Sequence, residues 1–242
     1  MTELLKEKFR DLRLKHCAEN IDIILEQAAQ KNLSLQKAME RLLELEIEQR
    51  RKARVILRLK QSKLMEKPTI DQFDFAYHIS RKKQKNTILQ LLDLDFIHQK
   101  KDVILIGNPG VGKSMLAKTF AFAATQAEVK TLFTSAMDML NQLIAAQEDN
   151  SLLKKLKTYQ TPDLLAVDEI GYLPLGRQGS NLFFQVISAR HGQKSTIITT
   201  NLSFAKWGNI FDSTTVATAI ADRLVYNSEI LVLEGKSYRN KA

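Results

Sequence analysis

The chain has 242 residues, of which 44% are hydrophobic and 26% are charged, and its 36 Lys and Arg residues against 27 Asp and Glu residues give a net charge of +9. This length and apolar content suffice for one α/β domain with a smaller helical domain, and they exclude a chain that is disordered throughout. The single cysteine, Cys17, excludes a disulfide framework and a cysteine-based zinc finger within one chain.

No apolar run approaches the length that spans a bilayer, and the first residues, Met1 to His16, are rich in charge. The sequence therefore predicts neither a membrane segment nor a signal peptide, and we expect a soluble cytoplasmic protein without a membrane partner. The excess of basic residues favours polyanionic partners such as nucleic acids.

Residues 1–66 carry apolar side chains at helical spacing and predict a small all-α domain. Two apolar helix faces are predicted. The first consists of Leu4, Leu5, Phe9 and Leu12, and the second of Leu35, Ala38, Met39, Leu42 and Leu43. Ser34 is the predicted N-cap of the second of these helices. Pro68 interrupts the helical pattern, so we assign residues 67–85 to a linker.

A basic run without acidic residues extends from Gln49 to Met65. Its predicted DNA contacts are Arg50, Arg51, Lys52, Arg54 and Arg58. A second basic cluster, residues 81–85, lies in the linker. Such runs are often solvated helix faces, but beside a nucleotide-binding domain they favour contacts with DNA phosphates. No groove-reading motif is visible, so these contacts are expected to be largely independent of DNA sequence.

From residue 86 onward, helices alternate with short apolar runs, which indicates a parallel sheet with helices on both faces. The predicted strands are 103–106, 129–133, 164–168, 196–200 and 230–233. Two helical stretches, 136–146 and 152–159, separate the second strand from the third. One connecting helix would suffice, so the second of them is interpreted as an insertion.

The sequence GNPGVGKS at 107–114 follows the first of these strands and precedes an alanine-rich helix. Strand, glycine-rich loop and helix together form the pattern that binds a nucleoside triphosphate, since loop amides and the helix N-terminus surround the phosphates. Lys113 would reach the β- and γ-phosphates, and the Ser114 hydroxyl would ligate Mg²⁺. The predicted contacts with ATP are Gly107, Asn108, Pro109, Gly110, Val111, Gly112, Lys113, Ser114 and Met115.

Asp168 and Glu169 end the third predicted strand. Asp168 is expected to hold the hydration shell of the Mg²⁺ ion, and Glu169 to polarise an attacking water. Two acidic residues at a strand end can also simply face solvent. The upstream phosphate loop favours the catalytic interpretation.

Three polar residues in the C-terminal third are further candidates. Asn201 follows a strand and could bind a γ-phosphate oxygen and the attacking water, although a turn-forming Asn is common there. Arg223 could complete the active site of a neighbouring subunit, or form an ion pair with Asp222 or Glu229. Arg239 could contact bound phosphate, or belong to a frayed basic tail.

The ordered set of motifs in this chain resembles that of the AAA+ ATPases of the IstB/DnaC type. The motifs are GNPGVGKS, LLAVDEIGYLPL, STIITTNLSFAKWG, ATAIADRL and EGKSYR. The resemblance is closer to IstB, the family of helper ATPases encoded beside the transposase in bacterial insertion sequences, and it includes MERLLELE at 39–46 and FDF at 73–75. It covers nearly the whole chain.

The resemblance implies an AAA+ core over residues 86–242 with the sheet order 5-1-4-3-2 and a truncated lid. It implies that Asn201 is sensor 1, that Arg223 is an arginine finger acting in trans and that Arg239 is the sensor-2 arginine. The second helix of the insertion is similar to one that marks initiators and loaders. Its candidate DNA contacts are Lys154, Lys155 and Lys157, for which a solvated face is the alternative.

The resemblance also implies a bacterial ATPase that forms a homo-oligomer on duplex DNA, shares active sites between subunits and communicates with a transposase. A DnaC-like loader of a replicative helicase is the alternative, because it would share the ATPase core. A small-molecule P-loop kinase is less consistent with Asn201 and Arg223 in family order.

Overall fold

Helices form the N-terminal part of the chain in the computed structural model, which describes residues 2–238. They are α1 (Glu3–Asp11), α2 (Lys15–Gln30) and α3 (Leu35–Ser62). The chain divides into two units after Leu57, within α3. The Ser34 hydroxyl accepts a hydrogen bond from the Lys37 amide at 3.3 Å, which confirms the predicted N-cap of α3.

The first unit has a small apolar core. Its buried members are Phe9, Cys17, Ala18, Ile21 and Leu42. The predicted face of α1 is wrong apart from Phe9, because Leu4 and Leu12 expose 64% and 68% of their surface. Helix α1 ends at Asp11, so Leu12 lies beyond the repeat that the prediction assumed.

A buried carboxylate joins α2 to α3. Glu46 accepts a hydrogen bond from the Cys17 amide at 2.9 Å and one from Arg50 Nε at 2.7 Å. Burial acts to raise the pKa of Glu46, but the hydrogen bonds from Cys17 and Arg50 outweigh it and hold that pKa below its ordinary value. The Arg50 guanidinium also donates to the carbonyl oxygen of Arg13. The first unit is thus held together by a charged contact as well as by its core.

The second unit is an α/β fold. Its helices are α4 (Ile79–Lys83), α5 (Lys85–Leu91), α6 (Asp95–His98), α7 (Lys113–Gln126), α8 (Ala136–Glu148), α9 (Leu152–Gln160), α10 (Gly176–Arg190) and α11 (Thr214–Val225). Its strands are β1 (Asp102–Gly107), β2 (Thr131–Ser135), β3 (Leu164–Ile170), β4 (Ser195–Thr200) and β5 (Ser228–Leu233).

The five strands form one parallel sheet in the order β2-β3-β4-β1-β5. This is the order 5-1-4-3-2 seen from the other edge, so the expected topology is confirmed. Because all strands run the same way, their carboxyl ends lie along one edge, where ligands bind in folds of this class.

Strand β2 begins two residues later than the sequence predicts. Helix α7 ends at Gln126, and Glu128 then adopts a left-handed conformation with φ +63°. The Val129 amide still donates to the Ala124 carbonyl at 2.9 Å, so the chain closes the helix before the strand can begin.

Both faces of the sheet are buried by helices. In β1, Val103 and Leu105 face the side that contains Phe120 of α7, whereas Ile104 faces the side that contains Phe183 of α10. Continuous apolar strands are typical of parallel sheets covered on both faces, which explains why the strands could be identified as short apolar runs.

The inserted helix α9 lies between β2 and β3 in sequence and is anchored by a buried arginine. Arg190, 1% exposed, donates to the carbonyl oxygens of Tyr159 at 3.0 Å and Pro162 at 2.8 Å, and to the Thr196 hydroxyl at 3.1 Å. One side chain from the end of α10 thereby ties the end of α9 to the start of β4.

The chain after β5 continues to Tyr238 without forming an α-helix among the described residues. Within residues 2–238, no helix combines the length and apolarity needed to cross a bilayer.

Candidate nucleotide site

The loop between β1 and α7 forms the centre of the site. Gly107 has φ +158°, and a Cβ atom there would lie 2.0 Å from the Leu233 carbonyl oxygen, so only glycine fits against β5. The chain then turns and enters α7 at Lys113. The loop amides and the first turn of α7 are therefore at the carboxyl edge of the sheet.

The ammonium group of Lys113 lies over this loop. Its Nζ donates to the carbonyl oxygens of Gly107 at 2.8 Å and Asn108 at 2.9 Å, and the residue is 9% exposed. A cation held in that position can bind phosphate oxygens that enter the loop.

The two predicted metal ligands are in direct contact. The Ser114 hydroxyl donates to Asp168 Oδ1 at 2.9 Å, and Asp168 is 8% exposed at the end of β3. A hydroxyl and a carboxylate are hard oxygen donors, which suit Mg²⁺. The residues present therefore fit the metal ion that the fold implies.

Thr199 of β4 connects the two acidic residues and was missed in the sequence analysis. Its hydroxyl donates to Asp168 Oδ1 and accepts the amide hydrogen of Glu169 at 2.8 Å. Glu169 has φ +63°, a strained conformation for a residue with a side chain. The only sequence signal was a hydroxyl residue near the end of a strand, which is common in any sheet.

A cavity of about 120 Å³ brings two of the three predicted catalytic residues, Glu169 and Asn201, to the phosphate loop. Its lining is Pro109, Gly110, Lys113, Ser114, Glu169, Tyr172, Thr199, Thr200 and Asn201. Glu169, the candidate general base, thus lines the same cavity as the candidate sensor Asn201 and the loop lysine Lys113. The cavity and the Ser114–Asp168 hydrogen bond bring the lysine of the glycine-rich loop, a hydroxyl–carboxylate pair and a second carboxylate close together.

Arg223 does not line this cavity. Its Nη1 donates to the Ala219 carbonyl at 2.7 Å within α11, and its guanidinium lies 4.6 Å from the centre of the Phe184 ring. Glu229, one suggested partner of Arg223, binds Lys101 at 2.7 Å. Arg239 lies outside the described residues.

The DNA-binding candidates differ in their surroundings. Arg51, Lys52, Arg54, Lys154 and Lys157 are exposed.

Arg50 is exposed as well, and contacts within the chain occur in both groups: Lys52 Nζ, for example, pairs with Glu48 Oε1 at 2.7 Å. Arg58 Nε donates to the Glu128 carbonyl at 3.0 Å, and Lys155 Nζ binds Gln142 Oε1 at 3.0 Å. Arg50 binds Glu46, as described above. Arg50, Arg58 and Lys155 therefore have structural roles that the basic pattern did not reveal.

Comparisons with known proteins agree with this site. The chain matches the family model for IstB-like ATP binding proteins over residues 7–242. It is 38% identical to the ATP-binding protein of insertion sequence IS5376 from Geobacillus stearothermophilus, over 99% of this chain and 94% of that protein. It is 36% identical to the ATP-binding protein of IS21 from Pseudomonas aeruginosa, over 95% of this chain and 86% of that protein.

Solved structures share the fold at lower sequence identity. The DnaC helicase loader superimposes with a TM-score of 0.59 at 24% identity, over 68% of this chain and 96% of that one. AMPPCP-bound DnaA from Aquifex aeolicus gives a TM-score of 0.61 at 16% identity, over 73% of this chain and 53% of that one. With an AAA+ fold, a formed phosphate loop and a family match over nearly its whole length, the chain belongs to the IstB-like ATP-binding proteins of insertion sequences.

Proposed function

We propose that the protein is a DNA-binding ATPase that assembles on duplex DNA and assists a transposase in selecting the site of insertion. The observation that carries the proposal is the cavity lined by Lys113, Ser114 and Glu169, with Asp168 hydrogen-bonded to Ser114. The insertion sequences in the names of its relatives favour a transposase over a replicative helicase as the partner.

Each residue of the site would have a separate role in ATP binding or hydrolysis. Loop amides and Lys113 would bind the phosphates of ATP, and Ser114 with Asp168 would hold Mg²⁺, directly and through water respectively. The metal ion, when bound, neutralises charge on the phosphates. Glu169 would orient and deprotonate the attacking water, and Asn201 would hydrogen-bond the γ-phosphate.

Assembly is part of the proposal because Arg223 lies away from its own cavity. An arginine on α11 that does not reach its own phosphates can serve the site of a neighbouring copy, as an always-charged planar donor. In the isolated subunit its guanidinium is held by Ala219 and Phe184. The homo-oligomer would then be the hydrolytically active form.

Duplex DNA is the proposed platform for this oligomer. The exposed basic residues of the helical region, Arg51, Lys52 and Arg54, would contact phosphates, with Lys154 and Lys157 of α9 as further candidates. We assign DNA binding and assembly to residues 1–66, connection to 67–85 and ATP hydrolysis to 86–242.

The test separates binding from hydrolysis. Glu169→Gln should bind ATP and assemble on duplex DNA in its presence, but release phosphate slowly, because the metal ligands survive and water activation is lost. Lys113→Ala should lose ATP affinity and, with it, ATP-dependent assembly. Phosphate release, fluorescent ATP titration and duplex binding by sedimentation measure the three properties. Equal phosphate release by Glu169→Gln and wild type would exclude Glu169 as the residue that activates water. Assembly on DNA without ATP would contradict the proposed dependence of assembly on ATP binding.

A further inference from the structure

One residue of the basic cluster in the linker is buried. Arg81 on α4 is 2% exposed, whereas Lys82, Lys83 and Lys85 around it are exposed. Arginine is almost never fully buried unless its charge and donors are satisfied, so this position requires a specific set of partners.

Those partners are backbone carbonyls. Nε and Nη2 of Arg81 both donate to the Val111 carbonyl oxygen, at 3.1 and 2.7 Å, and Nη1 donates to the Asp74 carbonyl oxygen at 2.9 Å. Val111 lies in the middle of the phosphate loop, and its side chain is buried. The guanidinium therefore joins the linker to the loop through three hydrogen bonds.

Aromatic rings enclose the same guanidinium. Its central carbon lies 4.4 Å from the ring centre of Phe73, 5.1 Å from that of Tyr238 and 5.5 Å from that of Tyr77. Burial lowers the pKa of Arg81, with the charge of Asp74 acting in the opposite direction. A guanidinium stays protonated at neutral pH, and ring faces stabilise a desolvated cation.

The linker also packs on the loop backbone next to Val111. Gly112 has φ +102°, and a Cβ atom there would lie 2.6 Å from Phe73 Cε2 and 3.0 Å from Arg81 Nη2. On the C-terminal side, the Tyr238 amide donates to the Gly110 carbonyl at 2.9 Å. The loop carbonyls are thus held by residues far away in sequence.

We propose that Arg81 is a positioning residue of the nucleotide site, which fixes the Val111 peptide so that the adjacent loop amides stay directed at the phosphates of ATP. A carbonyl held on one side of the loop fixes the orientation of the amide that shares its peptide plane. Loop amides that are already oriented lose less freedom when phosphate binds. The planar guanidinium fork suits this task, because its fixed N–H groups can donate two convergent hydrogen bonds to one oxygen and a third to another carbonyl in the same plane. An ammonium group cannot do so. The inference rests on ATP binding and requires neither hydrolysis nor DNA binding.

The experiment compares ATP with adenosine as probes of the full-length protein. Arg81→Gln should weaken ATP binding about tenfold or more, the scale of one lost charge-assisted contact, and leave adenosine affinity within about twofold. Lys82→Gln, which removes an exposed charge one residue away, should leave both affinities unchanged. Calorimetric titration gives the dissociation constants, and the thermal midpoint without ligand reports any loss of folding.

Arg81→Lys keeps the cation without the fork and provides the answer if Arg81→Gln does not fold. We expect it to weaken ATP binding severalfold, and an ATP affinity equal to that of wild type would overturn the proposal. An equal loss for adenosine would make Arg81 a contact of the base instead. A flatter salt dependence of duplex binding with unchanged ATP affinity would make it a DNA contact, and either result overturns the proposal.

Discussion

The hydroxyl of Thr199 contacts both acidic residues of the candidate site. It donates to the carboxylate of Asp168 and accepts the amide hydrogen of Glu169, whose backbone is left-handed. A residue in that conformation persists only where its surroundings hold it. Thr199 is therefore expected to keep the Glu169 carboxylate aimed at the cavity without touching the nucleotide.

Thr199→Val keeps the shape of the side chain and removes both hydrogen bonds. We expect the free energy of unfolding to fall by about 1–2 kcal/mol. Phosphate release should slow about ten- to a hundredfold, because the water-activating group is misplaced, while ATP affinity changes little. Steady-state phosphate release and ATP titration measure the two effects. Thr199→Ser retains the hydroxyl and should remain close to wild type, and phosphate release by Thr199→Val equal to that of wild type would exclude this role of the hydroxyl.

Several site residues could be predicted because their chemistry is tied to spacing along the chain. Lys113 and Ser114 follow a glycine-rich loop, and Asp168 and Glu169 follow a buried strand, so parallel strands bring them to the same edge. Arg81 could not be predicted, because a buried arginine has the same sequence surroundings as an exposed one in a basic cluster. Its position depends on how the linker packs on the loop.

At the scale of elements, apolar runs located the strands but not their neighbours. A run such as Val103–Ile106 identifies a buried strand, yet nothing in it specifies that β1 lies between β4 and β5. That order came from the resemblance to a family. In the first unit, the apolar periodicity overstated the core, because short helices with few partners leave residues such as Leu4 and Leu12 exposed.

The contact between α2 and α3 gives the first unit a pH dependence. The pKa of Glu46 is held below its ordinary value of 4.5, so its contribution to stability is present above pH 4.5 and is lost as the pH falls through the folded-state pKa. Glu46→Gln should lower the thermal midpoint at pH 7, and the difference from wild type should shrink below about pH 4.5.

Circular dichroism melts from pH 3.5 to 7 measure this difference in the full-length protein. Glu44→Gln, an exposed residue of the same helix, is the matched control and should change the midpoint little at any pH. A difference between Glu46→Gln and wild type that stays constant across this range would show that shape, and not charge, is what Glu46 contributes.

At the scale of the whole molecule, the proposed role of Arg223 predicts that hydrolysis depends on assembly. Arg223→Ala should bind ATP nearly normally and hydrolyse it about 10³–10⁵-fold more slowly, the range for an arginine finger. Mixing Arg223→Ala with Lys113→Ala creates interfaces with an intact loop on one side and an intact arginine on the other. Phosphate release should therefore recover in the mixture. A mixture that co-sediments and stays inactive would exclude Arg223 as the finger.

The strand order also has a consequence for synthesis on the ribosome. Strand β1, which leads into the phosphate loop, pairs with β4 on one side and with β5 on the other, and Gly107 packs against Leu233. Translation at about 5–20 residues per second leaves roughly 6–25 s between the appearance of Gly107 and that of Leu233, about 125 residues later. During that interval β4 (Ser195–Thr200) emerges first, but the edge of β1 that pairs with β5 stays without its partner strand until the end. A nascent chain arrested before β5 should therefore fail to bind ATP, however complete its phosphate-binding motif.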